Sequence, residues 1–137
     1  MPQRFRHLSE NEKIVAEELI KRRFPNAVKI DFDVPLKSEK TRFLTEKSPY
    51  AEMWEYLTAK KIDMVVYLPD AIYIVEIKEK LSASAFGQLK LYEYLFKLQY
   101  NPKLPVKLLH AAMYDDPDVR KFLEEQKVEV FVLKPFV

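Results

Sequence analysis

Asp63 and the tripeptide Glu76-Ile77-Lys78 are the residues of this chain whose types and spacing suggest chemistry. Asp63 opens the apolar run Ile62–Leu68, and Glu76 and Lys78 close a second run that begins at Ala71. Pro69-Asp70 joins the runs and favours a turn, because Pro presets φ at a central position and Asp can bond its own backbone. The two runs therefore read as an antiparallel hairpin. Residues two apart in a strand share a face, so Glu76 and Lys78 point the same way. Two acids and a lysine at the end of a buried hairpin are hard to explain as packing. Carboxylates are the right donors for Mg²⁺ (or Mn²⁺), and a lysine can orient an attacking water or neutralise charge in the transition state. That is the minimum equipment for metal-dependent phosphodiester hydrolysis. The competing explanation is a Glu–Lys salt bridge at a strand end, with Asp63 capping the same edge. Asp70 completes a literal Pro-Asp pair but lies in the turn, six residues before Glu76, and is expected to serve the turn alone.

The elements that must position these residues can be read from periodicity and punctuation. Ser9-x-x-Glu12 is a capping box that opens a helix running to Arg23. Residues 27–34 alternate, which places Val28, Ile30, Phe32 and Val34 on one face of a strand ended by Pro35. Residues 36–47 read as loop, and Ser48-Pro49 starts a helix that runs to about Lys60. Its Tyr50, Met53, Trp54 and Leu57 form an apolar stripe suited to a core helix, a dimer surface or a lid over DNA. After the hairpin come a helix over 87–99, a strand over 106–113, a helix over 116–126 and a final strand over 128–133. The predicted fold is α/β: a mixed β-sheet flanked by helices, core order αβββαβ, with an added helix between strands 1 and 2 and a C-terminal αβ unit. A single domain spans 1–137, with 36–61 as an insertion.

On the helix over 87–99, Gln88, Leu91, Tyr92, Leu95 and Gln99 project onto one stripe. Gln88 thus begins the core-facing side, where an amide is unexpected, facing the Glu76–Lys78 strand end. Its other reading is a first-turn Gln that bonds loop backbone, with Tyr92 simply packed. Glu12 projects with Val15, Ala16 and Leu19, while its place as third helical residue of the capping box explains it equally well. Ser82 and Ser84 suit either phosphate contact or a helix cap.

Asp63, Glu76-Ile77-Lys78 and Gln88-Leu89-Lys90-Leu91-Tyr92, taken in this order, resemble the PD-(D/E)xK nuclease superfamily, which includes restriction endonucleases, archaeal Holliday junction resolvases and RecB-type exonuclease domains. The resemblance covers roughly residues 10–34 and 62–133. It implies a restriction-endonuclease-like fold and a DNA nuclease in which Asp63, Glu76 and the Ile77 carbonyl hold the metal and Lys78 assists the water. It further implies that Gln88 positions water or metal, that Tyr92 contacts DNA or supports the site, and that an acid on the first helix, here Glu12, reaches the metal. Proteins of this kind and size are often homodimers, since symmetric cutting of two strands needs two sites. A nucleic-acid-binding module without turnover, and a purely structural α/β protein, are the alternatives.

The composition permits this reading without forcing it. Of 137 residues, 48% are hydrophobic, which excludes disorder, and the net charge is only +2, so a DNA partner must be met by local patches. Candidates are Lys21-Arg22-Arg23, the Lys37/Lys40/Arg42/Lys47 stretch, Lys60-Lys61, and Lys78 with Lys80 and Lys90; each also suits a solvated face. There is no cysteine, hence no disulfide and no thiolate zinc site, and His7 and His110 stand in no ligand spacing, so each is expected to be structural or superficial. No apolar run of membrane-spanning length and no signal core are present, which points to a cytoplasmic protein. One glycine, nine prolines and 32% charged residues suit a thermophile.

Overall fold

A computed structural model describes residues 7–37 and 60–135. Within these, five strands form one mixed sheet: β1 (Lys29–Leu36), β2 (Lys60–Tyr67), β3 (Ile72–Lys80), β4 (Val106–Tyr114) and β5 (Val128–Lys134), in the spatial order β1-β2-β3-β4-β5. β2 runs antiparallel to both of its neighbours, β1 and β3, and β3, β4 and β5 run parallel. The helices are α1 (Glu10–Arg23), α2 (Ser84–Tyr100) and α3 (Pro117–Glu125). The order αβββαβ followed by αβ is the one expected, and the hairpin of β2 and β3 closes through Leu68 N–H to the Ala71 carbonyl with Pro69 and Asp70 exposed in the turn.

Two apolar layers hold the sheet. Val15, Ala16, Leu19 and Phe24 of the α1 segment pack on Met64, Val66, Tyr73, Val75, Leu109 and Ala111. On the other face, Leu89 and Phe96 of α2 and Leu123 of α3 pack on Ile62, Val65, Ile72, Ile74, Leu108 and Ala112. Each fully buried aliphatic or aromatic side chain of this kind contributes about 1.5–3 kcal/mol. The helices start where the sequence places side-chain acceptors. Ser9 and Glu12 form both bonds of the capping box, and Asp116 caps α3 ahead of Pro117.

Four sequence expectations are corrected. β1 does not stop at Pro35. It continues to Leu36, because among the described strands β1 lies at the sheet edge, where a proline is tolerated. Val28, Ile30, Phe32 and Val34 do not share a face. Asp33 takes φ 53°, in the left-handed region, so Ile30 and Phe32 meet the α1 layer while Val34 and Leu36 meet the α2 layer; Val28 is exposed. Lys60 and Lys61 open β2 rather than ending a helix. The expected helix from Ser48, with Tyr50, Met53, Trp54 and Leu57, otherwise lies outside the described residues. Finally, α2 begins at Ser84 rather than Gly87, and its buried stripe is Ala85, Leu89 and Phe96, with Leu91 exposed. Tyr92 and Leu95 of the expected stripe still pack, partly buried, against this layer.

One backbone feature can be tested directly. Lys127, between α3 and β5, sits at φ 65° with its N–H bonded to the Glu124 carbonyl. A non-glycine residue there costs about 1–2 kcal/mol, and glycine is the usual occupant just past a helix. Lys127→Gly is expected to raise the melting temperature by a few degrees in a thermal scan, the equivalent of about 1 kcal/mol. A fall in melting temperature would show that this turn carries no strain.

Candidate active site

The site is built where the β2–β3 ladder ends. The last paired residues are Met64 and Val75. One step further, Asp63 and Glu76 would face each other, and there the side chain of Asp63 replaces the ladder: its Oδ2 accepts the Ile77 amide at 2.7 Å. Both acids are buried, Asp63 8% and Glu76 5% exposed. An isolated buried carboxylate is costly, and the Glu76 carboxyl is pushed up to about 7, first by burial and then by the neighbouring Asp63 charge. Lys78 and, more weakly, His7 counter that shift. Lys78 reaches back along its own strand, its Nζ 3.5 Å from Glu76 Oε2. The hairpin thus brings Asp63, Glu76 and Lys78 together as the sequence implies, and it also supplies the Glu–Lys pair of the structural alternative.

Gln88 and Tyr92 join the same neighbourhood. The Tyr92 phenol is pushed up by burial, then by the charge of Glu76, with a hydrogen bond from Gln88 opposing and Asp63 adding. Gln88 Oε1 is buried and has no hydrogen-bond partner. An orphaned acceptor is costly in an apolar interior and is what a water or an ordered donor would relieve. Glu12 is engaged elsewhere: its Oε1 accepts the Ser9 amide at 2.9 Å inside the capping box. Among the described residues no group of three His, Cys, Asp or Glu side chains converges on a possible metal position.

Two histidines that spacing alone could not assign both reach the site. His7, just ahead of α1, donates from Nε2 to Asp63 Oδ1 at 2.7 Å and pairs through Nδ1 with Asp33. The Asp63 hydrogen bond and the two nearby carboxylates hold its pKa above the usual imidazole range against the effect of burial. His110 on β4 is fully buried. Burial holds its pKa below the usual range. Its Nδ1 donates to the Glu76 carbonyl at 3.0 Å, and its Nε2 accepts the Ser82 amide at 3.1 Å. No local pattern marks either residue, because each acts on partners 26 or more positions away. Ser82 Oγ accepts the Ser84 amide at 3.2 Å, while the N-cap position of α2 is Ala83, which offers no side-chain cap.

The basic residues divide between the two ends of the sheet. Lys60 and Lys61 open β2 while Lys78 and Lys80 close its antiparallel neighbour β3, so all four lie at the end that holds Asp63 and Glu76. Lys90 does not join them. It pairs with Glu93 at 3.2 Å and lines a cavity of about 460 Å³ with Tyr73, Val106, Lys107 and Lys127 at the opposite end.

No known family's sequence profile matches the chain, and no curated protein matches it in sequence. Among solved structures, the chain is similar to a repair endonuclease from Pyrococcus abyssi, with a TM-score of 0.51 and 21% identity over 93% of this chain and 49% of that one. It is also similar to a chain of a structure described as an EndoMS–double-stranded DNA complex, with a TM-score of 0.48, 20% identity, and 93% and 47% of the two chains covered. The chain therefore spans about half the length of the structures it matches. The fold is accordingly the expected one, an α/β mixed sheet flanked by helices and similar to that of a repair endonuclease.

Proposed function

We propose that this chain is a metal-dependent DNA nuclease of the PD-(D/E)xK type, in which Asp63 and Glu76 hold Mg²⁺ or Mn²⁺ and Lys78 assists the attacking water. The observation that carries the reading is the pair of buried carboxylates at the end of the hairpin, close enough for the Asp63 charge to act on Glu76, with a lysine two residues on. A carboxyl held near neutrality by burial and a second acid is short of positive charge. The donor set is all oxygen, which suits a hard cation that keeps several of its own waters and so needs few protein ligands. The Ile77 carbonyl is a further oxygen donor at the same strand end. Similarity in fold to a repair endonuclease agrees with the assignment.

A bound cation would supply charge neutralisation at the scissile phosphate and a more acidic water. The chain's own residues do the rest. The Ile77 amide and His7 hold one carboxylate oxygen each, which fixes the Asp63 rotamer. The Lys78 ammonium, one third exposed, faces both the pair and solvent, where it can orient a water or meet a phosphate oxygen. The buried Gln88 acceptor offers that water a second contact. Lys60, Lys61 and Lys80 stand at the same end, suited to backbone phosphates, and that term weakens with salt.

A second reading has one observation in its favour: among the described residues no group of three His, Cys, Asp or Glu side chains is arranged to hold a metal ion. On that reading the chain binds DNA without turnover. Cleavage assays on single-stranded, duplex, flap and four-way DNA with Mg²⁺ or Mn²⁺ separate the two. The parent is expected to cut at least one substrate, and Glu76→Ala and Lys78→Ala to lose turnover by two orders of magnitude or more with DNA binding retained. Full cleavage by Glu76→Ala would sink the mechanism. Salt-sensitive binding with no cleavage by the parent would establish the binding module.

The buried Glu76 carboxyl also sets a pH dependence in the metal-free protein. Between the ordinary glutamate value of 4.5 and about 7, the folded state holds a proton on Glu76 that the unfolded state has released. Stability therefore falls as pH rises through that window. Glu76→Gln is expected to remove this slope, so the variant melts several degrees above the parent at pH 8 in EDTA and nearer to it at pH 4.5. Parallel melting curves for the two proteins across the window would show that Glu76 is not desolvated.

A further inference from the structure

We infer that His110 is a positioning residue for the paired-carboxylate site, the middle link of a hydrogen-bond relay that runs from the β3–α2 loop to Asp63; the inference rests on the nuclease reading above. The relay passes through the peptide joining Glu76 to Ile77, which lies one step beyond the last paired residues of the β2–β3 ladder. Side chains hold both ends of this peptide. Its N–H donates to Asp63 Oδ2 at 2.7 Å, and its C=O accepts from His110 Nδ1 at 3.0 Å. On the far side of the imidazole, the Ser82 amide donates to Nε2 at 3.1 Å.

The geometry fixes the tautomer. A backbone amide can only donate, so Nε2 is bare and Nδ1 carries the hydrogen. Every N–H in the series then points the same way: Ser82 to His110, His110 to the peptide, the peptide to Asp63. Aligned donors polarise one another in a dry interior, and this row ends on a carboxylate. His110 is fully buried, on the β3–β4 face shared with Leu108 and Ala112. A histidine retained only for its volume would need neither bond. Here both are made, to the backbone of one proposed ligand and to the loop that launches α2, the helix of Gln88 and Tyr92. Losing the ring would free the Glu76–Ile77 peptide, and with it the placement of both carboxylates, but would leave the exposed lysines untouched. Groups that orient metal-holding carboxylates are typically worth about 10–100-fold in metal affinity or activity.

The experiment uses the full chain. Mn²⁺ affinity is measured by electron paramagnetic resonance without DNA, DNA affinity by fluorescence anisotropy in EDTA, and the His110 tautomer by ¹⁵N–¹H correlation. In the parent, Nδ1 is expected to carry the hydrogen and Nε2 to be bare. H110L is expected to bind Mn²⁺ about 10–100-fold more weakly and to lose kcat by a similar factor, with DNA affinity and KM unchanged. H110Q, which offers one donor and one acceptor, should recover most of the loss. Ser82→Pro removes the amide that caps Nε2 and should weaken Mn²⁺ binding, while Ser82→Ala should not; this pair decides the matter if H110L does not fold. Parent-like Mn²⁺ affinity in H110L or in Ser82→Pro overturns the inference, as does a parent ring protonated on Nε2 alone. A parent that binds Mn²⁺ but cuts no DNA defeats the nuclease reading and leaves His110 to be judged on metal affinity and tautomer. A parent that binds no Mn²⁺ overturns both.

Discussion

The hydrogen bond from the Ile77 amide to Asp63 is the interaction on which the rest of this structure turns. A strand that leaves its partner must give its backbone groups other partners or bury them unpaired. Asp63 lets β2 and β3 part after Met64 and Val75 without that cost. The parting is what makes room for charge at the end of an otherwise apolar sheet. The same level of the sheet carries a change of face. Ile62 packs in the α2 layer, whereas Met64 and Val66 pack in the α1 layer. Across from Asp63, Asp33 reverses the alternation of β1 through its left-handed backbone. Two aspartates on neighbouring strands thus mark the row where the sheet stops being a regular core element, and His7 bridges them.

Burying two acids side by side works against folding, and the surroundings show how the cost is met. His7 and Lys78 bring positive charge to within ion-pair distance. Backbone and imidazole N–H groups supply directed partial charge without a further ion. The offset is incomplete: Glu76 stays far above an ordinary glutamate, and the Gln88 acceptor is left over. Perturbed acids and orphaned acceptors gathered in one place are typical of sites built for a ligand rather than for stability.

The fold was largely legible in the sequence, because its strands and helices are signalled locally. The hairpin follows from two apolar runs around Pro69-Asp70, α1 and α3 from their caps, and the order of elements from the alternation of periods. Asp63, Glu76 and Lys78 could be found because strand geometry relates distant residues across a short turn. What stayed hidden is what depends on tertiary context. Pro35 reads as a strand end unless β1 is known to be an edge strand. Asp33 reads as one more polar residue between apolar ones until its φ is known. Glu12 fits the first-helix acid and the capping box equally in sequence, and only coordinates show where its oxygen goes. His7 and His110 have partners on other elements and no local pattern at all.

The topology gives a reason for the site to lie at this end of the sheet. β3 and β4 run parallel, with the crossover through α2, and in open α/β sheets ligands gather beyond the carboxyl ends of parallel strands. Glu76 and Lys78 lie toward that end of β3, and the amino end of α2 follows directly. The antiparallel β2 enters the sheet there, so its first residues add Lys60, Lys61 and Asp63 to the same place. Charges spread over the chain from residue 60 to residue 80 are thus gathered by a single hairpin, which is how a molecule of net charge +2 comes to have one end rich in lysine. Lys90 shows the converse. It is closer in sequence to Gln88 than any of these lysines, yet two residues along a helix turn a side chain by roughly 200°, and it ends beside Tyr73 and Lys107, at the far end of the sheet.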